Sequence, residues 1–165
     1  MSIDTLLIMR HAKSSWNHEG LSDHERPLNK RGIRAARAIG GVLRAKGEIP
    51  GTIWSSDSQR TRETVDGLGF DLSGADVGYL PNFYHAPANK TLYVCEERGE
   101  PSQGPLMLVG HNPGWEDLFY HFAGMSRRIP TGACAIFKRT RAQKNWLNSE
   151  SWRLAELLLP RDLER

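Results

Sequence analysis

A chain of 165 residues, 39% apolar and 25% charged, has the size and composition of one folded domain, and disorder of the whole is excluded. Its apolar runs fall short of the roughly 20 residues of a membrane helix, and Met1-Ser2-Ile3-Asp4 lacks the basic and apolar regions of a leader, so a cytoplasmic protein without a membrane partner is expected. The formal charge of +3 names no partner, and two cysteines, Cys95 and Cys134, are too few for a disulfide framework or a cysteine zinc site.

Thr5-Leu6-Leu7-Ile8-Met9 is a continuous apolar run too short for a helix, which predicts a central strand buried on both faces. After a polar stretch over residues 13–27, a helical stripe of Ile33, Ala36, Ile39, Gly40 and Leu43 is capped by Asn29 and stopped by Gly47. Residues 52–55 read as a second strand and residues 59–68 as a second helix. The pattern weakens over residues 70–87, where one short strand is expected near residues 77–80. A helix over 89–98, an apolar strand over 106–110 and a helix over 115–123 follow, with Pro113 suited to a first helical turn. Residues 134–139 and 152–159 read as an edge hairpin. The alternation predicts an α/β domain over residues 1–165, a three-layer αβα sandwich whose mostly parallel sheet has an antiparallel C-terminal edge. Basic residues gather modestly over residues 30–46 and 127–144 without interleaved aromatics. They read as solvated faces, and nucleic acid is not an expected partner.

In such sheets ligands bind beyond the carboxyl ends of the strands. There the sequence places Arg10-His11, then Ser55-Ser56 with Arg60, then Gly110-His111-Asn112-Pro113-Gly114. Two guanidinium forks suit phosphate oxygens, and a histidine near neutrality can act as nucleophile, base or cationic donor. Four such residues on one rim point to phosphoryl transfer through a phosphohistidine.

These residues carry a resemblance. Leu7-Ile8-Met9-Arg10-His11-Ala12 resembles the Arg-His-Gly signature of the histidine phosphatase superfamily, which has the phosphoglycerate mutase-like fold. Arg26-Pro27-Leu28-Asn29 with Gly32 is similar to its helix entry, and Ser55-Ser56 with Arg60 and Thr64 to its Ser-Ser-x-x-x-Arg-x-x-x-Thr segment. Val109-Gly110-His111-Asn112-Pro113-Gly114 is similar to its second-histidine loop, and Arg-His-Ala-Lys with Gly-His-Asn-Pro-Gly looks most like the SixA-type phosphohistidine phosphatase branch. The resemblance implies that His11 attacks phosphorus while Arg10, Arg60 and His111 hold the phosphoryl oxygens. It implies substrate contacts from Arg26, with Lys13 and Asn112 as further candidates, and neither metal nor cofactor. The implied substrate is a phosphohistidine-containing protein; the alternatives are a small-molecule or Ser/Thr phosphate ester, or a phosphoprotein-binding module without turnover.

Two departures bear on mechanism. Ala12 replaces the signature glycine, which requires φ < 0 or room for one methyl. Residues 80–92 hold no carboxylate, whereas many superfamily members place a general acid in this middle segment. Its absence penalises alkoxide leaving groups, since proton donation is worth about 10² to 10⁴ in rate, and so favours a phosphoramidate. Asp23, Glu25, Glu116 and His85 remain alternative donors. Trp16 and Trp115, each shortly after a key histidine, could wall the pocket or pack the core. Pro101 and Thr140 stand six positions after the two cysteines, which excludes a Cys-x5-Arg phosphatase loop. A P-loop and a Gly-x-Ser-x-Gly elbow are likewise missing.

Overall fold

The structure is a computed structural model that describes residues 2–163. Strand β1 (Thr5–Arg10) is buried along nearly its whole length, because five successive side chains without a polar stripe leave no face for water. It lies inside a six-stranded sheet of order β3-β2-β4-β1-β5-β6, formed with β2 (Thr52–Ser56), β3 (Asp76–Leu80), β4 (Leu106–Gly110), β5 (Cys134–Arg139) and β6 (Trp152–Leu158). The first four strands in that order run parallel, and β5 and β6 add the antiparallel edge. The weakly signalled segment near residue 77 is therefore β3, an edge strand with only partial burial.

Side chains alternate across the sheet and so build two apolar layers. Helices α1 (Lys30–Ala45) and α2 (Gln59–Gly67) cover one face, where Ile39, Leu43 and Val65 join Leu7, Met9, Met107 and Val109 in one cluster. Helices α3 (Ala88–Arg98) and α4 (Gly114–Ala123) cover the other, and Trp115, Leu118 and Phe119 pack with Leu6, Ile8, Leu108 and Phe137. The molecule is thus the expected αβα sandwich, closed by a short turn of helix, α5 (Pro160–Leu163).

The ends of α1 follow their sequence signals. Asn29 Oδ1 accepts the Gly32 N–H at 2.8 Å, and Gly47 takes the left-handed conformation at φ +72. The expected stripe needs one correction, since Ile33 is 46% exposed while Gly32 and Ala35 are buried. The reason is the approach of the loop after β1: a Cβ on Gly32 would lie 2.1 Å from the Lys13 carbonyl oxygen. With Gly32 turned to that loop, the next residue, about 100° further around the helix, faces water. Pro113 likewise precedes α4 as its cap and does not enter the first turn.

The parallel registry pairs Arg10 with Gly110 and Ser55 with Val109, so β1, β2 and β4 end side by side. Arg10-His11, Ser56 to Arg60 and His111 therefore open on one edge of the sheet.

Candidate active site

Immediately beyond β1, His11 is 6% exposed and its Nδ1 lies 2.7 Å from the Ala12 carbonyl oxygen. A carbonyl accepts only, so Nδ1 carries the proton and Nε2 keeps its lone pair. Burial, with Arg60, Arg10 and Arg26 adding repulsion, outweighs the Ala12 carbonyl and lowers the His11 pKa to about 3, so the ring is neutral. Ala12 does not require positive φ, and its buried methyl packs in a small cluster with Leu28 and Ala36. Its N–H donates to Thr64 Oγ1 at 3.0 Å, and the Thr64 hydroxyl donates to the Arg60 carbonyl at 2.7 Å. Thr64 thus ties the loop carrying His11 to the helix carrying Arg60.

Arg60, 1% exposed at the start of α2, has its fork aimed by Asp23. Its NH1 donates to the Asp23 carbonyl at 2.6 Å and its NH2 to Asp23 Oδ2 at 3.0 Å. His111 lies with its ring centroid 5.3 Å from that of His11. Its Nε2 is 2.8 Å from Ser56 Oγ and its Nδ1 3.4 Å from Arg60 NH2. Burial first, then the neighbouring His11 ring and the Arg60 guanidinium, lowers its pKa to about 2, so this ring is neutral too. A guanidinium only donates, so Nδ1 is the acceptor facing Arg60 and the His111 proton sits on Nε2, donated to Ser56 Oγ.

A carboxylate that the middle segment lacks arrives from another loop. Asp23 lines the cavity, where Oδ2 also accepts from Tyr84 and from His85 at 2.9 Å, and Oδ1 from Arg26 Nε at 3.1 Å. Burial alone would raise its pKa, but hydrogen bonds from Tyr84, His85 and Arg60 more than offset that and hold it well below the carboxylate range. Asp23 is therefore an ionised acceptor. Its side chain collects two arginines, a tyrosine and a histidine around one opening. His85 has φ +50, an uncommon conformation outside glycine. Its loop is pressed against α4, where a Cβ on Gly114 would lie 1.9 Å from the Ala86 carbonyl oxygen.

The cavity, of about 390 Å³, brings together Arg10, His11, Arg60 and His111, expected to handle the phosphoryl group, with Arg26, Lys13 and Asn112, expected to contact substrate. Arg10 NH1 donates to the Ile129 carbonyl at 3.1 Å, and Arg26 NH1 to Ser14 Oγ at 2.7 Å. Asn112 spends its amide donors on Glu116 and the Ile129 carbonyl, both at 3.0 Å. Glu116 further accepts from the Ile129 N–H and Glu25 caps a turn through Ser22, and neither carboxylate lines the catalytic cavity. The two tryptophans part company. Trp16 stands at the mouth, 78% exposed beneath the Arg26 guanidinium, whereas Trp115 is buried core beside Gly110. Tyr84 and Thr131 were not legible as site residues: Tyr84 meets Asp23 and packs edge-on against His111 only through the fold, and Thr131 lies on a loop between α4 and β5 that carries no motif.

Two histidines and three arginines gather beyond the carboxyl ends of parallel strands, an arrangement of the kind that suits a phosphoryl group. The model of the histidine phosphatase superfamily (branch 1) matches residues 6–84. An uncharacterized chloroplastic protein of Arabidopsis thaliana is 33% identical over 142 residues, 81% of this chain and 65% of that protein, so the chain spans just under two thirds of that relative. An uncharacterized protein of Mycobacterium tuberculosis is 31% identical over 141 residues, covering 79% of this chain and 86% of that one. Among solved structures, the proposed phosphohistidine phosphatase SixA of Agrobacterium tumefaciens superposes with a TM-score of 0.81 at 26% identity, covering 97% of this chain and 100% of that chain. The chain belongs to the histidine phosphatase superfamily. That membership and the SixA-like, phosphoglycerate mutase-like fold support phosphatase activity.

Proposed function

We propose that this chain removes the phosphoryl group from a phosphohistidine on a protein, by way of a phosphorylated His11 and without a metal. The observation that carries this reading is the state of His11: a neutral ring, held through Nδ1–H by the Ala12 carbonyl, with Nε2 unprotonated in a cavity lined by Arg10, Arg26 and Arg60. Nε2 attacks phosphorus, the P–N bond to the substrate imidazole breaks, and the leaving nitrogen takes the bonding pair while the other nitrogen of that ring keeps its proton, so a neutral imidazole departs. Water then attacks the phosphoenzyme, releasing inorganic phosphate and restoring the His11 lone pair. The three arginines take the non-bridging oxygens, with His111 beside them, so charge is neutralised by groups already in place.

Asp23 supports the choice of substrate. The carboxylate that reaches this pocket is surrounded by donors and stays ionised, so it gives no proton to an alkoxide. An imidazole leaving group is protonated on its own ring and does not need that help. Phosphate release from a histidine-phosphorylated protein in EDTA, compared with a simple phosphate ester and with His11→Ala, tests the reading. Turnover that survives EDTA, is much faster on phosphohistidine and disappears in His11→Ala is the expected result. Preference for the ester overturns the substrate and makes His85, the mouth histidine paired with Asp23, the donor to examine. Phosphate bound but turned over on neither substrate replaces the enzyme with a binding module.

A further inference from the structure

Arg31, from the basic stretch over residues 30–46, and Arg127 and Arg128, from the stretch over residues 127–144, line cavities beside the catalytic one. A second cavity of about 610 Å³ shares Arg10 and Asn112 with the catalytic one and is lined by Arg127, Arg128 and Arg161. A third, of about 210 Å³, shares Lys13 and Thr131 with the catalytic cavity, adds Arg31, and joins the second at Pro130, Leu159 and Arg161. The three form one groove around the end of β1. Its lining carries eight Lys and Arg residues against two carboxylates, Asp23 and Glu116, whereas the whole chain nets only +3. Most of the positive excess of the molecule is therefore on this rim, and the remainder of the chain is net negative.

Neither carboxylate neutralises the outer arginines, since Asp23 is held by Arg26 and Arg60 and Glu116 by Asn112 and the Ile129 N–H. Among the described residues, no carboxylate pairs with Lys13, Arg31, Arg127 or Arg128, and Asp162 approaches Arg161 only to 3.9 Å with both side chains exposed. A cluster of unpaired like charges costs self-repulsion, and an anionic ligand relieves it. On the other side of the mouth Trp16, 78% exposed, lies under Arg26 at 3.5 Å. Trp16 lines only the catalytic cavity, and Arg127 and Arg128 only its neighbour, so a ligand touching both crosses the catalytic mouth. Exposed tryptophan with arginines is also the composition of protein interfaces, where they serve as anchors.

We propose that this groove, with Trp16 on its far side, is a docking surface for a protein that carries carboxylates around its phosphohistidine, the acid groups seating on Arg127, Arg128 and Arg161. The inference rests on the phosphohistidine-protein reading and specifies the partner's surface. Electrostatic complementarity of this kind selects partners and speeds encounter more than it tightens the bound state.

The test uses two synthetic phosphohistidine peptides that differ only in flanking glutamates or glutamines, with phosphoramidate and a small bisphosphate ester alongside. The wild type is expected to prefer the glutamate peptide by about tenfold in kcat/KM at low salt, and much less at high salt. The Arg127→Ala/Arg128→Ala/Arg161→Ala variant is expected to lose that preference while its phosphoramidate rate is unchanged, which also shows that it folds. The corresponding triple Arg→Glu variant is expected to favour the glutamine peptide. Equal turnover of the two peptides, or a preference that survives the alanine variant, overturns docking and leaves the phosphohistidine reading intact. Loss of bisphosphate ester turnover in the alanine variant, with the peptides unaffected, assigns the groove to a small polyanion. Hydrolysis of the ester with neither peptide turned over removes the phosphohistidine reading, and the docking proposal with it.

Discussion

Arg60 and Arg128 carry the same guanidinium and both border the same groove system, yet the fold treats them oppositely. Arg60 is 1% exposed and its fork is held by the carbonyl and carboxylate of Asp23, while Arg128 lies exposed without a carboxylate partner among the described residues. A buried, oriented charge acts in a low-dielectric setting and needs no reorganisation when an anion arrives, which is the condition for transition-state stabilisation. An exposed charge is screened within about 8 to 10 Å at ordinary salt and is suited to encounter and selection. Floor and rim therefore divide the work between chemistry and choice of partner.

That division breaks most sharply at Arg60. In Arg60→Ala, kcat on a phosphorylated substrate is expected to fall by about 10² to 10³ with a smaller change in KM, read by steady-state kinetics. A change confined to KM would place Arg60 with the rim residues and not with the floor.

The floor should also show itself in acid. In the unfolded chain His11 and His111 take protons below about pH 6.5, whereas in the fold they resist protonation until about pH 3 and about pH 2. The unfolded state thus binds more protons in this window, and stability falls as pH drops through it, by about 1.4 kcal/mol per pH unit for each histidine. Denaturant titrations from pH 7 to pH 4 should therefore show a steeper loss in wild type than in His11→Gln/His111→Gln. Equal slopes would mean that the two rings are not buried neutral. The smallest effect concerns the strut between loop and helix. Thr64→Val leaves the buried Ala12 N–H without an acceptor and is expected to cost about 1 to 3 kcal/mol of stability, measured by chemical denaturation.

Much of this was legible in the residues. Apolar runs such as Leu106-Met107-Leu108-Val109 admit little but a buried strand, and the residues after such strands in a parallel sheet must share one edge, so His11, Arg60 and His111 could be placed together before any coordinates. The weak points were of another kind. Ile33 faced outward because the loop at Lys13 claimed the neighbouring face of α1, a contact between segments that no helical period encodes. Trp16 and Trp115 follow their histidines by similar intervals, and only the packing of α4 against the sheet separated an exposed wall from a core side chain.

By itself the sequence determined the αβα alternation, the motif residues of the pocket and the absence of a carboxylate from the middle segment, because these depend on local periodicity and on the chemistry of single side chains. Tertiary structure alone decided that Asp23 enters the pocket and stays ionised, and that Arg31, Arg127 and Arg128 gather beside it, because burial and Coulomb energies depend on distances between segments remote along the chain.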